Sequence, residues 1–242
     1  MFKTKALTLP GALLCAIVLA AQPLAASAAG NGPAAIVQSQ LARSQAQLAA
    51  QQGLAEYQQS KLQAYAGLAP DNMAFDVSSM EELLQARIGH GFEIHTIKPQ
   101  DVAGGRTDLS GMATPTGSWR FVVQVGDKPI GLVTVELMDG RWQAVSFGGA
   151  GLAREYEAVR VAHGNSDGSN LRFIRVYQAQ SDLLEVISTN DGKARFAAMK
   201  SAQESLLRFG LNKTQPDAGL FDASQLMQSL RAAVSKNLDV QH

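Results

Sequence analysis

Few residues of this chain have the type and spacing to do chemistry. His90, Glu93 and His95 lie close together, and on a strand Glu93 and His95 share one face, as two ligands of a zinc ion would. His90 precedes that strand between two glycines and no third ligand is evident. Ordinary surface histidines are the simpler reading, and no metal is expected. His95 also has the chemistry of a general base for hydrolysis, with Asp101 or Asp108 in the loop after it as partners to test. No G-x-S-x-G elbow supplies a nucleophile for them.

The run FGGAGLAR, 147–154, follows a strand and precedes a helix. That is where a phosphate can rest on backbone N–H groups at a helix N-terminus, and Gly148, Gly149 and Gly151 would line such a cradle. Read as G-x-G-x-x-G, however, its third glycine is Arg154, and the strands before it form a meander rather than a βαβ unit. The plainer account is a sharp turn from sheet to helix, and no cofactor is expected. Arg175 falls on the Phe173/Tyr177 face of its strand, an odd place for a charge. There it can bind an acidic ligand, stack on a ring, or be paired internally. With Trp119 it marks the concave side of the sheet as a candidate small-ligand site. HGNSDGSN, 163–170, lacks the spacing and closing glutamate of a calcium loop and reads as an Asx/Gly turn.

Residues 118–151, SWRFVVQVGDKPIGLVTVELMDGRWQAVSFGGAG, read as three strands joined by two tight turns. Asp139-Gly140 is a two-residue hairpin signal. It pairs Leu137 with Trp142 and Val135 with Ala144, and by continuation Thr134 with Val145 and Leu132 with Phe147. An even-length turn near Gly126–Pro129 then places Trp119, Phe121, Val123, Ile130, Leu132, Val145 and Phe147 on one face. Val122, Val133, Val135, Leu137 and Trp142 take the other. Both faces are apolar, so both need a cover: helices on one side, and the N-terminal helix or a partner on the other.

That N-terminal helix is expected from Pro33 to Leu68, within an Ala/Gln-rich extension over 29–70. Leu41, Leu48, Ala55 and Leu62 recur every seven residues, but Ser44, Gln51 and Gln58 spoil the second seam of a coiled coil. The segment reads as a partly solvated helix with a break at Gly53, and as the surface for any self-association or docking. VSSMEELLQARIGHG, 77–91, reads as a helix with a Ser78/Glu81 capping box, stopped by Gly89. A strand follows at 92–97, then a loop over 98–117. Further helices are expected at 152–163, 201–210 and 223–238, and further strands at 171–178, 183–189 and 193–199. The fold class is α+β: a mostly antiparallel sheet of six or seven strands between Phe92 and Met199, packed with helices, with a helical N-terminal extension. The α+β domain is expected over 71–211, with a C-terminal helix within 212–242 packing on it.

The chain opens with Lys3 and Lys5, an apolar run from Ala12 to Ala21, and Ala26-Ser27-Ala28, the layout of a secretory signal over 1–28. Gln22-Pro23 ends the run short of a membrane span. The expected mature chain is periplasmic or secreted, with no transmembrane segment after signal removal. It has no cysteine, because Cys15 leaves with the signal, so disulfides and thiolate chemistry are excluded. Without Lys3 and Lys5, the 21 basic residues fall to 19 against 21 acidic ones, a formal net charge of −2 with no basic run. Nucleic acid is therefore not an expected partner. Abundant scaffold without a coherent catalytic set points to an exported, non-catalytic accessory protein that binds a protein or peptide, as an inhibitor, chaperone-like factor or assembly factor. The alternatives are an exported hydrolase with its site near the 98–117 loop and a small-ligand binding module.

Overall fold

The computed structural model describes residues 33–64, 73–211 and 219–239. The expected signal segment, the break at 70–72 and most of the 212–222 loop lie outside the described residues. Those described form an α+β fold of seven helices and one seven-stranded sheet. Helix α1 spans Pro33–Ala64 and α2 Met80–Leu84. Strand β1 (Arg87–Thr96) precedes α3 (Pro99–Ala103) and α4 (Leu109–Met112). A meander of β2 (Thr114–Val125), β3 (Lys128–Met138) and β4 (Arg141–Gly148) leads into α5 (Ala150–His163). Then come β5 (Leu171–Val176), β6 (Ser181–Ile187), β7 (Ala194–Ala198), α6 (Lys200–Leu207) and α7 (Ala223–Asp239).

The strand order is β4-β3-β2-β1-β5-β6-β7. Every pairing is antiparallel except β1–β5, which is parallel and covers only Ile94–Phe173, His95–Ile174 and Thr96–Arg175. The sheet is thus two antiparallel halves, each made of sequence neighbours, joined along a short central seam.

Both hairpin turns of the meander hold two residues, Gly126-Asp127 and Asp139-Gly140. Asp139 and Gly140 both take positive φ, 51° and 76°, the geometry that matches strand twist. Strict alternation then fails twice. Ile130 and Val145 are extra residues in β-bulges, so Thr134 faces Ser146, Val133 faces Phe147 and Leu132 faces Gly148. Each bulge advances the strand by one residue and exchanges its faces beyond that point. The expected face assignment is corrected accordingly. Trp119, Phe121, Val123, Ile130, Val133 and Val135 lie together with Trp142, Ala144 and Phe147, while Leu132 joins Val122 on the reverse.

Both faces are covered by the chain itself. Helix α1 lays Ala46, Ala50 and Leu54 over the Trp119/Phe121/Val135 face, and Met80 and Leu83 of α2 join them. Helix α5 lays Ala153 and Tyr156 over Val122, Leu132, Phe92 and Phe173 on the reverse. A third cluster joins Ile174, Leu183 and Phe196 to Leu206 of α6, to Leu226, Leu230 and Val234 of α7, and to Val102 and Leu109 of α3 and α4.

Four further local expectations change. Helix α2 is one short turn, capped by Ser79 rather than Ser78, with Glu82 rather than Glu81 reaching back to the Ser78 N–H at 2.7 Å. Strand β1 begins at Arg87, which pairs with Gln124 of β2, and at Gly91 the Phe121 ring lies where a side chain would otherwise stand. Helix α1 runs unbroken through Gly53. The 98–117 stretch is not all loop: α3, α4 and the start of β2 occupy much of it.

Candidate functional site

The two edges of the sheet end differently. At β7, Phe196 exchanges two backbone hydrogen bonds of 2.8 Å with Phe221, which closes that edge there. At β4, no strand among the described residues pairs with the outer side. Next to a two-residue turn, Met138 and Arg141 form the hydrogen-bonded pair, and pairs alternate from there. The backbone N–H and C=O groups of Trp142 and Ala144 therefore point away from β3. Arg141 is the only charged residue of β4, so the edge carries little of the charge that usually blunts one.

Beside this edge lies a groove of about 630 Å³ between α1 and β4. Its apolar lining includes Tyr57, Trp142, Ala144 and Phe147, with Glu56 and Arg141 on its rim. The lining is held in place by its neighbours. Trp142 Nε1 donates to Gln45 Oε1 at 3.2 Å, and the Tyr57 hydroxyl accepts the Ala74 N–H at 2.8 Å. The Tyr57 and Phe147 rings lie 4.9 Å apart. Helix α1 comes this close because its inner stripe is Ala46, Ala50, Gly53 and Leu54, mostly small residues at helical spacing. The heptad leucines Leu41, Leu48 and Leu62 point outward and are 57%, 65% and 52% exposed.

The histidine group lies elsewhere. Because β1 and β5 pair over three residues only, the sheet opens beside the seam into a cavity of about 350 Å³. His90, Glu93, His95, Trp119, Arg43 and Arg172 are among its lining residues. Asp101 and Asp108 do not line it. Asp101 pairs with Arg106 at 3.2 Å, and Asp108 caps α4 through the Gly111 N–H at 3.0 Å. Among the described residues no group of three or more His, Cys, Asp or Glu could hold a metal ion.

Burial, reinforced by Arg43 and Arg160, pushes the His90 imidazole down to about 4. Burial, reinforced by Arg172, does the same to His95, also to about 4. Burial raises the Glu93 carboxyl. Both rings are thus neutral in the folded protein where the unfolded chain, at 6.5, already binds protons. Folding stability should rise with pH between about 4 and 6.5 on their account and be lost as pH falls through that window. Glu93 acts with the opposite sign, since its folded form holds the proton more firmly. Thermal melts across the window should carry the imidazole contribution as a rise in midpoint with pH. The slope should flatten in His90→Phe/His95→Gln, and an unchanged slope in that variant would refute the assignment.

Arg175 and Trp119 do not meet. Trp119 faces Glu93 across β1–β2, and His95 on that same face aligns with Ile174, so Arg175 projects from the opposite side of the sheet. There it forms a two-pronged ion pair with Asp182 at 2.6 and 2.7 Å, with its guanidinium 6.0 Å from the Tyr177 ring centre. Gly148 and Gly149, at φ of 128° and 72°, make the turn into α5 and line a smaller cavity with Arg175. Gly151, in the first turn of α5, lies outside that lining. The residue that sequence reasoning missed is Arg120, which also lines this cavity. Its signal was available: like Arg175, it is a charge at an inward-facing strand position, on the Val122 face.

Among the described residues, no helix is long and apolar enough to cross a membrane. Compared with known protein families, curated proteins and solved structures, the chain matches none of them.

Proposed function

We propose that this is an exported, non-catalytic accessory protein that takes up an extended segment of a partner protein along β4. The observation that carries the reading is an unpaired strand edge running beside a groove with aromatic lining. Backbone groups of an added strand supply affinity, and the pocket for its alternate side chains supplies selection. With one acidic and one basic group on its rim, the groove favours a segment with apolar or aromatic residues at alternate positions over a strongly charged one. The export part of the proposal is supported by the Lys3/Lys5 and Ala12–Ala21 layout.

The test is a display library of extended peptides selected on the full mature chain. Bound peptide should slow hydrogen exchange at the outward amides of Trp142 and Ala144. Trp142→Ala should weaken binding by about tenfold or more, since a buried tryptophan is the usual anchor of such an interface. Selected peptides that leave both amides exchanging freely would place recognition elsewhere and overturn the proposal.

A further inference from the structure

We infer that the cavity between β2, β3, β4 and the start of α5 is a binding site for a phosphate group, with Arg120 as its principal ligand. The cavity has a volume of about 210 Å³. It is on the reverse of the sheet from the peptide groove and does not rest on that reading. Arg120, Thr134 and Ser146 are direct cross-strand neighbours on β2, β3 and β4, and all three line it, as do Arg175, Gly148 and Gly149.

Arg120 is the anomaly. Its Nη1 is buried and has no hydrogen-bond partner. Its guanidinium lies 5.9 Å from the centre of the Phe173 ring, which offers a face and no counter-charge. The nearby carboxylate, Asp182, is already engaged by both prongs of Arg175 and by the Ser201 hydroxyl at 3.2 Å. Burial, together with repulsion from Arg175, presses the Arg120 pKa downward, yet a guanidinium remains charged at any ordinary pH. A half-buried guanidinium with an unpaired, buried nitrogen and no carboxylate of its own is costly, and the cavity in front of it is where an anion would relieve that cost.

The donors favour a tetrahedral oxyanion. A guanidinium offers a planar fork, which alone would serve a carboxylate equally well. Here two hydroxyls stand beside it on successive strands, and the backbone turn at Gly148-Gly149 closes a third side. A phosphate group presents oxygens in all these directions, and a carboxylate presents two in one plane.

Isothermal titration of the full mature chain at constant ionic strength tests this with inorganic phosphate, glycerol phosphate and acetate. Saturable binding of either phosphate species, with none of acetate, is expected, and the tighter of the two identifies a free ion or a phosphomonoester as the natural source. Arg120→Gln should lower that affinity by about tenfold or more, the usual loss for a hydrogen bond to a charged group. Lys193→Gln, an exposed charge in the β6–β7 turn, should leave it unchanged. Should Arg120→Gln fold poorly, Thr134→Val must show the loss instead. Absence of saturable phosphate binding, preference for acetate, or undiminished binding in Arg120→Gln or Thr134→Val overturns the inference.

Discussion

Replacing Arg172 with alanine should cost roughly 3–5 kcal/mol of folding stability, the usual penalty for stranding one member of a buried ion pair. Glu185 stands in the middle of β6 with its side chain wholly buried. One of its oxygens takes the Arg172 Nε and the other takes the Ser110 hydroxyl from α4. Arg172 also donates Nη2 to the Ser110 carbonyl at 2.9 Å, so a single guanidinium ties β5, β6 and α4 together. Without it, a carboxylate sealed from water keeps one hydroxyl. Urea denaturation should show a lower midpoint with an unchanged slope. Adding Glu185→Gln should return much of the loss, because a neutral amide needs no counter-charge. A loss below about 1 kcal/mol in the single variant, the scale of an exposed pair, would show that the network does not hold the fold.

Gly53→Ala sets two effects of opposite sign against each other. Helix propensity favours alanine over glycine by about 1 kcal/mol. Against that, a Cβ at position 53 would stand 2.2 Å from the Ala144 Cβ on β4, where no flexible side-chain end can yield. Overpacking of this kind costs about 1–3 kcal/mol, so the net change should be destabilising. Helix α1 should lift from β4, loosening the Trp142–Gln45 contact and shifting tryptophan emission to the red. Gly53→Ala/Ala144→Gly moves the methyl across the interface and should recover stability beyond the sum of its parts. A stabilised single variant would mean that α1 and β4 do not lie this close in solution.

How far the sequence could be read depended on how strongly each segment declares its period. Asp139-Gly140 announced its hairpin, and the Leu226/Leu230/Val234 stripe announced α7. The sheet's antiparallel character and its need for cover on both faces followed from the meander alone. The bulges at Ile130 and Val145 left no such mark, since an extra residue in an apolar strand looks like any other, and face assignment failed between them, from Leu132 to Trp142, before the second bulge restored it at Phe147. In α1 the conspicuous leucines point outward, while the contact surface is alanine and glycine, small residues that the composition hides among many others. The open edge of β4 could be suspected but not located, because strand order depends on the distant pairing of β1 with β5. Arg120 escaped notice between two aromatic residues, although the same reasoning had already singled out Arg175.

The short parallel seam has a consequence for how the protein is made. Every other pairing in the sheet joins sequence neighbours, whereas Thr96 meets Arg175 79 residues farther along the chain. On a ribosome or at a translocation pore, the first half can zip up from local turns while the far border of β1 waits for material not yet delivered. Loop-closure entropy makes that meeting the slow event, and substitutions at Ile94 or Phe173 should brake refolding more than equally buried changes inside either hairpin. Until it closes, the nascent molecule carries two adhesive borders instead of one, and this interval is when it is most prone to aggregate.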